Sequence, residues 1–134
     1  MGLRCLLISI NTVTTPYVVF PLGLAHISGA LISRGHHCEQ YDLLVEGGLS
    51  PLADVLQRFD PELIGVSIRN IDTVDSTDPQ FFFEKALHAI EEIKAQTKSY
   101  IVLGGAAFSL FPEAILKKLN ADYGISGEGE GAIC

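Results

Sequence analysis

Continuous apolar runs that alternate with segments of helical periodicity constrain this chain more than any other feature. A run without a polar face suits a strand covered on both sides, and strands of that kind, joined through helices, build parallel α/β sheets. RCLLISI at 4–10, LIGVSI at 63–68 and SYIVLGG at 99–105 are such runs. HCEQYDL at 37–43 alternates, as a strand nearer the sheet edge does, and DYGIS at 122–126 is predicted as a fifth strand. Between the first two, 22–34 sets Leu24, Ile27, Leu31 and Ile32 on one helical face and stops at Gly35. Ser50 and Pro51 supply an N-cap and a first-turn proline for a helix ending near Phe59. Asp78-Pro79 opens the longest helix, 79–96, with Phe82, Leu87, Ile90 and Ile93 at core spacing, and Pro112 starts a short helix through Leu119.

Five strands with helical crossovers predict one doubly wound, Rossmann-like domain over 1–134, with helices on both faces. The expected strand order is the flavodoxin-like 2-1-3-4-5, which opens a crevice at the carboxyl ends of strands 1 and 3. At this size the chain buries roughly two-thirds of its unfolded surface and needs no disulfide or metal to hold its core. A hydrophobic content of 48% fits buried parallel strands. The net charge of −7, with scattered basic residues, excludes the basic stripe that nucleic acid requires. Cys5, Cys38 and Cys134 show no metal-binding spacing, and an odd count without a signal peptide fits a reducing cytoplasm. The opening apolar run stops at Asn11, too short for a bilayer, so membrane insertion is not expected.

Four loops reach the predicted crevice: 11–21, 68–78, 104–111 and 127–131. The first two are long for βα connections, and long loops on one edge of a rigid sheet commonly carry function. Gly104 and Gly105, followed by Ala106, end a buried strand with no side chain larger than a methyl, so a ligand or another backbone can approach closely; a tight turn into the next helix explains them equally. Ser67, Arg69 and Asn70 bring polar groups to the end of strand 3, where Arg69 either serves a ligand or pairs with Asp72 or Asp75. Thr12, Thr14 and Thr15 offer hydroxyls before a helix start, whereas Val18, Val19, Phe20 and Pro21 make an apolar lip better suited to a large flat ligand, or to plugging the core. Gly127, Glu128 and Gly129 belong to GEGEG, which lacks the lysine of a phosphate loop; its glutamates either accept hydrogen bonds or form a solvated exit. Histidines 26, 36, 37 and 88 form no metal constellation, and no catalytic centre is expected in this chain.

The ordered set FPLGLAHISGALISRGHHCEQYDL, PELIGVSIRN, VLGGAAFSLFPE and ADYGISGEGEG resembles the cobalamin-binding domain at the N-terminus of cobalamin-dependent radical S-adenosylmethionine enzymes. The resemblance covers nearly the whole chain and implies the same 2-1-3-4-5 sheet. It implies that Gly104 and Gly105 line the slot for the cofactor's nucleotide tail and that Ser67 contacts that tail. Residues 17–23, among them Tyr17, Phe20, Pro21, Leu22 and Gly23, would face the lower side of the corrin, with Thr14, Arg69 and Asn70 nearby. Ala106, Phe108, Ser109, Gly127, Glu128 and Gly129 would complete the cleft.

Two departures sharpen this expectation. Cobalamin carriers of the methionine synthase type have Asp-x-His-x-x-Gly, whose histidine ligates cobalt; aligned on Gly23, this chain has Val18 and Phe20 there, and neither ligates a metal. The resemblance therefore implies cobalamin held base-off, with no protein histidine on cobalt. The radical-enzyme motif CxxxCxxC is missing, and the chain stops at GEGEGAIC where a helix would start. It is accordingly expected to be the N-terminal part of a longer enzyme for methyl transfer or rearrangement. A C-terminal domain of that enzyme, its partner here, would bind the [4Fe-4S] cluster and S-adenosylmethionine, and Cys134 has no metal role. The rival readings are a flavodoxin-like electron carrier binding flavin mononucleotide through the threonines, and a ligand-free regulatory or interaction domain.

Overall fold

The computed structural model describes residues 2–10, 21–68, 79–127, 129 and 131–133, with the backbone alone described at 79–83. Five strands, β1 (Arg4–Ser9), β2 (His37–Asp42), β3 (Leu63–Ser67), β4 (Tyr100–Gly104) and β5 (Tyr123–Gly124), form one all-parallel sheet in the order β2-β1-β3-β4-β5. This is the order expected from the alternation of apolar runs and helices. Among the described residues six helices accompany it: α1 (Leu22–Ser33), α2 (Leu43–Glu46), α3 (Leu52–Phe59), α4 (Pro79–Gln96), α5 (Ala106–Leu110) and α6 (Pro112–Leu119).

Some boundaries differ from the expected ones, each for a local reason. The stretch after β2 is a helical turn, because the Asp42 carboxylate accepts the Leu44 N–H at 3.0 Å and Gly47 closes the turn in the left-handed region at φ 83°. The glycine-rich exit of β4 leads directly into α5, where a loop was expected. Strand β5 spans two residues, since its pairing to β4 extends only over Tyr123 and Gly124. The expected core position Phe82 lies where only the backbone is described, whereas Ile90 and Ile93 are fully buried.

The two-residue period of the strands sorts the apolar runs onto two faces. One face carries Leu6, Ile8, Ile64, Val66, Ile101 and Leu103 and is covered by side chains of α3, α4 and α6, including Leu52, Leu56, Ile90, Ile93, Ile115 and Leu119. Leu6, Ile8, Ile64 and Leu103 expose none of their surface. Burying each such side chain contributes about 1.5–3 kcal/mol, so this layer is the main source of stability. The opposite face carries Cys5 and Leu7 against Leu24 and Leu31 of α1, a much smaller cluster. Over β4 and β5 on that face, Tyr100 and Tyr123 stand 60% and 58% exposed, their ring centroids 6.2 Å apart. The asymmetry leaves room above the middle of the sheet.

Candidate functional site

The strand register builds the site row by row. Ser9, Ser67 and Gly104 lie side by side at the carboxyl edge of β1, β3 and β4, and two residues back lies the row Leu7, Gly65 and Val102. Both rows project to the α1 face by the period of two. The inner row has a gap at its centre, because Gly65 has no side chain between Leu7 and Val102. A cavity of about 430 Å³ occupies this space, within the range typical of small-molecule sites. Leu24 and Ile27 of α1 form one wall, and Ile125 and Ile133 form another.

The rim is made of backbone as much as of side chains. Gly105 stands at φ 105°, ψ 170°, a region open only to glycine. A Cβ there would lie 2.5 Å from the Ile68 carbonyl oxygen. The Ile68 N–H donates to the Gly104 carbonyl at 2.8 Å and the Ile68 carbonyl accepts from the Ala107 N–H at 3.0 Å, so the exits of β3 and β4 are stitched together. Gly104 is different: a Cβ there would find only the Ile125 carbonyl, at 3.8 Å, and otherwise open space. Of the two explanations for the glycine pair, the close turn therefore belongs to Gly105 and the open approach to Gly104. Ser109 fixes the third rim segment, since its hydroxyl donates to the Gly105 carbonyl at 3.0 Å and accepts the Gly127 N–H at 2.8 Å. Beyond it the chain folds back, with Gly129 packed on Ile27 and the Ile133 N–H donating to the Gly129 carbonyl at 3.0 Å.

Eight of the residues singled out from the sequence thus line one cavity: Gly23, Ser67, Gly104, Gly105, Ala106, Ser109, Gly127 and Gly129. Pro21 is half-buried at the start of α1 and Leu22 is 60% exposed; neither lines it. Phe108 requires a correction. The first turns of α5 carry it inward, so it is 1% exposed in the core, beside Gly124, where a Cβ would meet its ring at 2.3 Å. Thr14, Tyr17, Phe20, Arg69, Asn70 and Glu128 lie outside the described residues, as do Val18 and the other loop threonines.

The cavity floor was missed by the sequence reading. Leu7, Gly65 and Val102 looked like ordinary members of buried strands, and only register reveals that they form one row beneath an uncovered space. The glycine inside LIGVSI was the available signal, since glycine weakens a strand interior unless something approaches it closely.

The lining carries no charged side chain among the described residues, and none of the four histidines lines it. Nor do the described His, Cys, Asp and Glu residues form a group of three able to hold a metal ion. The groups with shifted titration lie elsewhere. Burial pushes the Cys38 thiol up, partly offset by a hydrogen bond with Ser28; Arg58 holds the Glu39 carboxyl below its usual range; burial raises Tyr41. Such a cavity suits a neutral, largely apolar group, not a phosphate or a reacting acid–base pair.

The B12 binding domain family model matches residues 8–134, which is nearly the whole chain. The chain belongs to the B12-binding domain family. Its five-stranded order is that of the flavodoxin-like cobalamin-binding fold. A tryptophan 2-C-methyltransferase from Streptomyces laurentii is 31% identical over 130 residues, 96% of this chain and 21% of that protein. The radical S-adenosylmethionine methyltransferase TsrM from Kitasatospora setae, solved with cobalamin and a [4Fe-4S] cluster bound, is 30% identical with a TM-score of 0.85. The match takes in 100% of this chain and 24% of TsrM. The cobalamin-dependent radical enzyme OxsB, with aqua-cobalamin and S-adenosylmethionine bound, shares the fold at 19% identity and a TM-score of 0.72, over 96% of this chain and 17% of its own. The chain therefore spans about a sixth to a quarter of the length of these relatives. Among the described residues, no helix is long and apolar enough to cross a membrane.

Proposed function

We propose that this B12-binding domain holds cobalamin base-off, with the apolar base at the end of the cofactor's nucleotide tail in the cavity between α1 and the strands β1, β3 and β4. The observation that carries this reading is a cavity whose described lining is uncharged and apolar, with glycine at both floor and rim, at the carboxyl ends of the strands. Bound cobalamin supplies a cobalt centre able to carry a methyl group. The protein supplies position. Gly65 and Gly104 leave the space, Gly105 and Ser109 hold the surrounding backbone in place, and Leu24 and Ile27 exclude water from one side. No protein histidine ligates cobalt: His26 lies on the exposed side of α1, His88 on α4, and His36 and His37 beside the amino end of β2.

The domain serves, in this reading, as the cobalamin module of a larger radical S-adenosylmethionine enzyme. A further domain of that enzyme supplies the iron–sulfur cluster, S-adenosylmethionine and the chemistry of methyl transfer or rearrangement, and the module alone has no turnover. The support is the extent of the relatives, of which this chain matches only 21% and 24%. The electron-carrier reading finds no support in the family match.

The test is to mix the purified chain with hydroxocobalamin, desalt it, and record the visible spectrum. Electron paramagnetic resonance follows after reduction to the cobalt(II) form. Co-elution near one to one, a base-off spectrum and no nitrogen splitting on the cobalt signal are expected. A base-on spectrum, or nitrogen splitting, overturns the base-off, histidine-free assignment. A folded protein that elutes colourless overturns cobalamin binding by this chain.

A further inference from the structure

From the polarity of the cavity floor we infer that this site selects corrinoids by their lower base, accepting an apolar benzimidazole and rejecting a purine, with Gly65 as the residue that makes the space. This rests on the proposed seating of the tail. The floor row Leu7, Gly65 and Val102 has no polar side-chain atom, and Leu24 and Ile27 close it with hydrocarbon. Its backbone has nothing to spare either. Those three residues sit within the β1–β3–β4 ladder, where N–H and C=O groups face neighbouring strands and not the sheet surface. Among the described lining residues two hydroxyls, Ser67 and Ser109, stand at the rim, and Ser109 is already committed to Gly105 and Gly127.

A purine such as adenine brings an exocyclic amine and several ring nitrogens, and each loses its water on entering this floor without gaining a partner. An unpaired buried polar group costs roughly a tenfold factor in binding or more. A dimethylbenzimidazole presents methyl groups and ring carbon to the same surface and gains by leaving water. Gly65 sets the depth. A Cβ at this position would lie 2.7 Å from Leu7 Cδ2, the mobile end of a side chain, so alanine is accommodated by moving Leu7. Both the added methyl and the displaced leucine then raise the floor.

The experiment measures affinities of the folded chain for three corrinoids: cobalamin, its analogue with adenine as lower base, and cobinamide, which has neither base nor nucleotide. Wild type is expected to bind cobalamin at least tenfold more tightly than the adenine analogue. Gly65→Ala is expected to weaken cobalamin about tenfold while leaving cobinamide within about twofold, with circular dichroism confirming the fold. Val102→Thr, which adds one hydroxyl to the floor, is expected to narrow the gap between the two bases. Equal affinity of wild type for both bases overturns the inference, as does a Gly65→Ala loss shared equally by cobinamide. If the folded protein binds none of the three, the functional reading beneath the inference fails instead.

Discussion

Replacing Gly105 with alanine should cripple folding, while the same change one residue earlier should not. At Gly105 the backbone stands at φ 105°, and the added Cβ would lie 2.5 Å from the Ile68 carbonyl oxygen and 2.9 Å from its carbon and nitrogen. Those atoms are backbone and cannot rotate aside. Holding alanine in a glycine-only region costs about 1–3 kcal/mol. Relieving the overlap disturbs the Ile68–Gly104 and Ala107–Ile68 hydrogen bonds, each worth about 0.5–1.5 kcal/mol. The sum is about 2–6 kcal/mol, against a total stability of about 5–15 kcal/mol for a domain of this kind. At Gly104 the new methyl meets only the Ile125 carbonyl, at an ordinary 3.8 Å, so stability should change by less than about 1 kcal/mol. Urea unfolding followed by circular dichroism measures both variants. A Gly105→Ala midpoint indistinguishable from wild type, or equal losses in the two variants, refutes the division of roles. Corrinoid binding should show the converse: Gly104→Ala folds normally yet binds less cobalamin, because its methyl enters the cavity.

Three further outcomes are expected. Phe108→Ala empties a fully buried site and should cost about 3–5 kcal/mol in urea unfolding, whereas Gly124→Ala, which places a Cβ 2.3 Å from the Phe108 ring, should cost about 1–3 kcal/mol by overpacking. Tyr41→Phe removes the hydroxyl that donates to the Gly48 carbonyl at 2.5 Å and should lower stability by about 1 kcal/mol without changing corrinoid binding. Acidification should remove the contribution of Glu39, whose carboxyl Arg58 holds below its usual range through contacts of 3.0 and 2.9 Å. A depressed carboxyl contributes fully above the unfolded value and is lost as pH falls through the folded one. Stability measured from pH 6 to pH 3 should therefore fall less steeply in Glu39→Gln, by a small amount because the pair is exposed.

The fold was legible because parallel strands announce themselves as apolar runs, and helical periodicity between them leaves few topologies open. The edge position of β2 was legible as well, in the alternation of HCEQYDL. Less could be read of the site. Gly104 and Gly105 stood out as a pair, yet the sequence offers no means of telling which glycine answers to a ligand and which to the Ile68 backbone. The family resemblance implied a place for Phe108 in the cleft, but a helix starting at Ala106 turns that position inward. Leu7, Gly65 and Val102 were hidden by the same uniform apolarity that revealed their strands. Which face each residue serves depends on register between segments far apart in sequence.

The two faces of the sheet explain how one small domain can keep a cavity without losing its fold. The layer formed with α3, α4 and α6 contains the bulk of the fully buried side chains, and no described side chain of those helices lines the cavity. The α1 face contributes a small cluster, so it can keep a cavity over the Gly65 row at little cost in buried surface. Binding and stability then separate by residue parity along each strand. In LIGVS, Ile64 and Val66 point to the main core, while Gly65 and Ser67 point to the cavity face. Ile64→Ala should accordingly cost about 2–5 kcal/mol in unfolding, whereas Gly65→Ala should act mainly on the corrinoid. If both variants lose stability alike, the cavity face is part of the structural core, and its open floor must be sustained by something other than the opposite layer.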